Sequence, residues 1–164
     1  MVTTTAGRVL VDEVRTVVAA VLDPELPMIT IEDLGILRDV TVQDDVVHVS
    51  ITPTYAGCPA MDAIRADIED AVHGCAPGRP VVVHTVLAPA WSTDDLTETG
   101  RRKLAEVGIA PPGAAGTVSL SLTVRCPQCG SPDTRELSRF GSTACKALWV
   151  CNACAEPFDR FKEL

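Results

Sequence analysis

The chain has 164 residues, a formal net charge of −8 and seven cysteines, and 46% of its residues are hydrophobic. That length holds one ordinary domain and a small second one, with apolar residues enough for a true core but no apolar run of membrane-spanning length. The acidic balance argues against nucleic acid, whose phosphates are met by clustered Lys and Arg; between Thr117 and Leu164 the basic residues are scattered among acids.

Met1 to Gly7 lacks the charged lead and apolar stretch of a signal peptide, and reduced cysteines then point to the cytoplasm. Residues Arg8 to Leu22 read as a helix, with Leu10, Val14, Val17, Val18 and Val21 on one face. Pro24 stops it, and Asp23 to Pro27 makes a rigid acidic loop leading to Glu32, Asp33, Leu34 and Gly35. Strands are expected over Ile36 to Val42 and Val46 to Thr52. They form a hairpin that buries Val47, Val49 and Ile51 and turns His48, Ser50 and Thr52 the other way. A loop then enters a helix from Pro59 to His73, striped by Met61, Ile64, Ile68, Ala71 and Val72 and stopped at Gly74. Val81 to Leu87 reads as a further strand.

Residues 88–116 form a connector whose short helix is capped by Ser92 or Thr93, with Leu104 on its inner side. From Thr117 the pattern is strand, cysteine knuckle, two strands, knuckle, and a last strand from Pro157 to Phe161. The expected division is an α/β domain over 8–87, the connector over 88–116 and a metal ribbon over 117–164.

The two Cys-x-x-Cys pairs, Cys126 with Cys129 and Cys151 with Cys154, carry the strongest chemical signal. Each presents two thiolates from one tight turn, and the stretch between can fold as a hairpin that completes a tetrahedral four-sulfur site. Their regularity, and the odd number of cysteines left over, speak against a disulfide framework. Structural zinc is expected, while iron stays open because tetrahedral thiolates suit both metals. Cys145 reads as a packed residue, a replacement ligand or an extra thiol beside the site. Cys75 continues the stripe of the second helix and is expected in the core.

Cys58 stands just ahead of that helix, where the dipole and unpaired N–H groups favour a thiolate and lower its pKa. Gly57 allows close backbone approach, and Thr52 and Thr54 add hydroxyls. Simple packing and a role as reactive thiol or metal or cluster ligand both stay open. Asp23, Glu25 and Asp33 suit turn chemistry as well as acid–base or metal work. His48, His73 and His84 show no ligand spacing and read as structural. Phosphate-cradling loops, a nucleophile elbow and a dinucleotide fingerprint are missing from the sequence, so an enzyme acting alone is not expected.

With Asp23-Pro24-Glu25, Asp33-Leu34-Gly35, and Thr52 followed by Gly57-Cys58-Pro59, the N-terminal part resembles the iron–sulfur cluster assembly domain of SufT-type proteins. From Leu10 to Lys162 the chain resembles more closely the PaaD family of phenylacetate degradation. That likeness rests on the run Thr52 to Ala60, Trp91, the run Phe140 to Leu148, and Glu156 to Asp159. It implies a small α/β domain of helix, hairpin, helix and strand, then a helical connector and a zinc ribbon. It also implies a non-catalytic accessory subunit of the phenylacetyl-CoA epoxidase system, in which a di-iron oxygenase works with a reductase carrying an iron–sulfur cluster and flavin. On this resemblance the protein helps assemble or insert the reductase's cluster. Cys58 would hold a cluster or iron transiently, and Asp23, Glu25, Asp33 and Thr52 would support it. Partners are the epoxidase components, the reductase first. A homodimer stays open, as does an electron-transfer or structural subunit with metal in the four-cysteine site.

Overall fold

The computed structural model describes residues 5–55, 57–113 and 124–162. The strand expected from Thr117 to the first knuckle lies largely outside them. The chain forms two compact units that meet in sequence between Trp91 and Ser92.

In the first unit, helix α1 (Thr5–Ala19) buries Val14 and Val18, with Leu10 and Val17 half-buried beside them. It ends three residues short of the predicted Leu22, because Leu22 and Asp23 leave it to form a short strand, β1. This strand pairs antiparallel with β2 (Leu26–Thr30). The expected acidic loop is therefore a small β-ribbon. The Asp23 carboxylate closes its turn, accepting the N–H groups of Glu25 at 2.8 Å and Leu26 at 2.9 Å. Ile29 and Ile31, on and just past β2, are fully buried.

Strands β3 (Leu37–Gln43) and β4 (Val46–Ile51) form the predicted hairpin, displaced by about one residue at their ends. Asp44 and Asp45 both take positive φ, the pattern of a tight two-residue hairpin turn. Helix α2 (Ala60–Cys75) crosses over to β5 (Val81–Thr85), which lies parallel to β4, so the sheet runs β3-β4-β5. Val47, Val49 and Ile51 are buried on one sheet face, as are Met61, Ile64, Ile68 and Val72 along α2. Both helices contact this sheet and each other. Cys75 is a correction: it is only half-buried at the helix end, where its thiol donates to the Val72 carbonyl at 3.4 Å. Trp91 closes the unit, its indole N–H donating to the Leu34 carbonyl at 2.8 Å.

In the second unit Ser92 caps only a single 3-10 turn, Thr93–Asp95. The helix proper, α3 (Glu98–Glu106), starts six residues later, its N–H of Gly100 bonded to the Thr97 hydroxyl, with Leu104 fully buried. Arg101 ties α3 to the end of the connector by donating to the carbonyls of Pro112 and Gly113. The ribbon is an antiparallel sheet of β6 (Thr134–Ser138), β7 (Lys146–Cys151) and β8 (Pro157–Phe161), with β7 central. Ala110 bridges to β8 on either side of Arg160, donating to Asp159 at 2.8 Å and accepting from Phe161 at 2.9 Å. The connector is thus joined to the ribbon's edge. The ribbon's core is small: Ala110, Val124, Ala147, Trp149 and Phe158, with Cys126 and Cys151.

Candidate metal centre and assembly site

The two knuckles are built alike. In each, the first cysteine's carbonyl accepts the N–H four residues on, Cys126 from Gly130 and Cys151 from Ala155, both at 2.9 Å. In each, the same cysteine's N–H donates to the carbonyl five residues on, Ser131 or Glu156, both at 3.0 Å. The residue closing each turn is left-handed: Gly130 at φ 73° and Ala155 at φ 63°. Asn152 links the knuckles, bonding to Asp133 through both backbone and side chain at 2.8 Å.

This places all four Sγ atoms within 4.8 Å of one another, with Cys126 and Cys154 at 3.8 Å and Cys129 and Cys151 at 3.5 Å. A tetrahedral ion with metal–sulfur bonds of about 2.3 Å needs sulfurs about 3.8 Å apart, so the set fits a single ion. Their acidities diverge. The Cys154 N–H, aided by Ala153 and against burial, brings Cys151 down to about 7. Glu156 donates to Cys154, yet partial desolvation and the three neighbouring thiols push it up to about 12. Cys129 is also raised: the Ser131 N–H favours its thiolate most strongly, but Cys151, partial desolvation and Cys126 together outweigh that donor. Four thiolates at this spacing need a cation among them. Cys126 and Cys151 are buried, whereas Cys129 and Cys154 are exposed.

Cys145 is not part of this set. It precedes β7 while Cys151 ends it, about 20 Å away at the rise of an extended strand, so it is neither a replacement ligand nor a neighbouring fifth thiol. It is buried, with its sulfur 3.0 Å from the Thr143 hydroxyl. The loop around it packs tightly. A Cβ on Gly141 would meet Asp159 and the Lys146 backbone at 3.0 Å. Asp159 in turn accepts from Ser142 at 2.9 Å and lies 3.5 Å from the buried Lys146 ammonium.

Cys58 is half-buried at the mouth of α2. Its N–H donates to the Tyr55 carbonyl and its carbonyl accepts from Met61, both at 3.3 Å, while Pro59 already has helical angles. Gly57 is left-handed at φ 88° with open space where a Cβ would stand, so its requirement is conformational. Thr52, just past β4, is 1% exposed and its hydroxyl has no hydrogen-bond partner. Buried hydroxyls are almost always satisfied, which marks this one out. Asp23 and Asp33 are both buried and engaged in turns, Asp33 exchanging bonds with Thr30; Glu25 is half-buried.

One arrangement escaped the sequence. His48 Nδ1 and His84 Nε2 lie 3.0 Å apart across β4 and β5, although 36 residues separate them. Only a parallel pairing of the two strands, read in register, would have found it.

Comparison with known proteins covers both units. Residues 11–84 match the family of iron–sulfur cluster assembly proteins, and residues 110–162 match the PaaD zinc beta ribbon domain. A protein of Escherichia coli (strain K12) assigned as a subunit of 1,2-phenylacetyl-CoA epoxidase is 44% identical over 155 residues, covering 93% of this chain and 92% of that one. An Fe-S protein maturation auxiliary factor of Porphyromonas gingivalis (strain ATCC BAA-308 / W83) is 30% identical, covering 57% of this chain and 89% of that one. The fold resembles the crystal structure of a domain of unknown function, DUF59, from Bacillus anthracis. That match has a TM-score of 0.56 and 26% identity, and covers 60% of this chain and 94% of that one. No helix among the described residues is long and apolar enough to cross a membrane.

Proposed function

The chain belongs to the PaaD family of phenylacetyl-CoA epoxidase subunits, and on that footing we propose that it is an accessory subunit that matures the iron–sulfur centre of the epoxidase's reductase. The observation that carries this is the joining, in one chain, of an iron–sulfur assembly domain to a PaaD ribbon. The similarity of the first unit to iron–sulfur maturation factors supports the same role.

Cys58 is the working thiol of this reading, because it is accessible in part and lies just ahead of α2, next to its cap Pro59. The cluster, or its iron, is cargo. Thr52 supports the cysteine with an uncommitted hydroxyl, and Asp23, Glu25 and Asp33 keep the neighbouring turns in shape. The reading assigns zinc to Cys126, Cys129, Cys151 and Cys154, where it closes a ribbon whose apolar core is too small to hold itself. The ribbon is then the docking module and the first unit the delivering one, in the cytoplasm. A homodimer is a compatible arrangement.

Anaerobic transfer tests this directly. Wild-type protein loaded with iron and sulfide should load the cluster-free reductase, whereas Cys58→Ala, equally folded, should leave it short of both. Normal loading by Cys58→Ala would remove Cys58 from the mechanism. Iron held by the ribbon in place of zinc, with a visible redox response, would favour electron transfer instead.

A further inference from the structure

The maturation role leaves the His48–His84 pair unused. In the parallel register of β4 and β5, His48 stands opposite Val82 and His84 opposite Ser50, so the two are diagonal neighbours. They lie on the face away from Val47, Val49 and Ile51, because side chains alternate along a strand. The rings are within 15° of parallel, and one donates its N–H to the bare nitrogen of the other at 3.0 Å.

We infer that His48 and His84 form a second metal site, a two-imidazole chelate for a first-row divalent cation. The juxtaposition is the argument: the strand register holds the two ring nitrogens 3.0 Å apart, within the span of two ligand corners on one ion, which for bonds of about 2.1 Å is about 3.0 Å in an octahedron and about 3.4 Å in a tetrahedron. Imidazole nitrogen suits nickel, iron, copper and zinc, while the four thiolates of the ribbon select softer binding, so the two sites differ in class. The rings turn about χ2 until their lone pairs converge, Nδ1 of His48 and Nε2 of His84 each giving a pair to the cation. The proton they share moves to a remote ring nitrogen, leaving both rings neutral, and water fills the other positions.

The test titrates Ni2+ into untagged, zinc-replete full chain, read by calorimetry and by paramagnetic broadening of amide resonances. One Ni2+ per chain should bind with broadening centred on β4 and β5. Holding the second ring in place makes its bond intramolecular, so His48→Gln and His84→Gln should each weaken binding by about a hundredfold. His73→Gln, an exposed change at the end of α2, should leave it unaltered. Equal binding by wild type and His48→Gln, broadening centred on the ribbon, or no Ni2+ binding at all would each overturn the inference.

Discussion

The paired knuckles make a prediction of opposite sign at two equivalent positions. Gly130 and Ala155 close the same turn with nearly the same left-handed φ, and nothing lies within 4 Å of where a Gly130 Cβ would be. The cost of Gly130→Ala is therefore conformational alone. An L side chain in this region costs about 1–2 kcal/mol. The stiffer unfolded chain returns about 0.4–1 kcal/mol of that, so the net loss is about 1 kcal/mol. Ala155→Gly runs the sum backwards and should gain about the same. Because ribbon folding and metal binding are one equilibrium, these appear as a weakening and a tightening of zinc affinity of about fivefold each. Competition against a chromophoric chelator at fixed pH measures both. Loss of affinity in both variants would refute the reasoning, since it would mean that side-chain contacts and not φ control position 155.

Other outcomes rest on the same structure. Cys129→Ser should unfold the second unit and spare the first, seen as loss of Trp149 packing with α1 and α2 still helical; one joint cooperative loss would refute independent units. Thr52→Val exchanges an unsatisfied buried hydroxyl for a methyl, so urea unfolding should show a gain of about 1 kcal/mol while reductase loading falls. Unchanged loading would leave Thr52 out of the site. Zinc binding displaces thiol protons, so affinity falls as the pH is lowered. Above about 7 Cys151 is already ionised in the metal-free protein, and below it that proton too must leave. The slope of log affinity against pH should therefore steepen by about one on passing down through 7, and a constant slope between pH 6 and 8 would contradict it.

What could be read from the sequence was local. The knuckles declare themselves by spacing, and α2 by its stripe from Met61 to Val72, because neither depends on distant partners. β2 was hidden: Pro27 speaks against a strand, and its partner β1 is two residues long, held in place by the Asp23 turn. The start of α3 is masked because Ser92 has every mark of a helix cap yet caps a single turn, leaving Thr97 to begin the helix. Ala110 joining β8, and the meeting of His48 with His84, depend on pairings between segments remote in sequence, which no local pattern encodes.

The alternation of buried and exposed sulfurs gives the four-cysteine set a front and a back. Cys126 and Cys151, sealed in the ribbon core, cannot be reached by a chelator or an oxidant; Cys129 and Cys154 can. Ligand exchange must therefore begin at the second cysteine of each knuckle and pass through an ion still held by the first two. The ion's residence time is governed by how often Cys129 and Cys154 let go, a property of two short turns and not of the ribbon's overall stability. Oxidative damage should take the same order, joining the two outward thiols first.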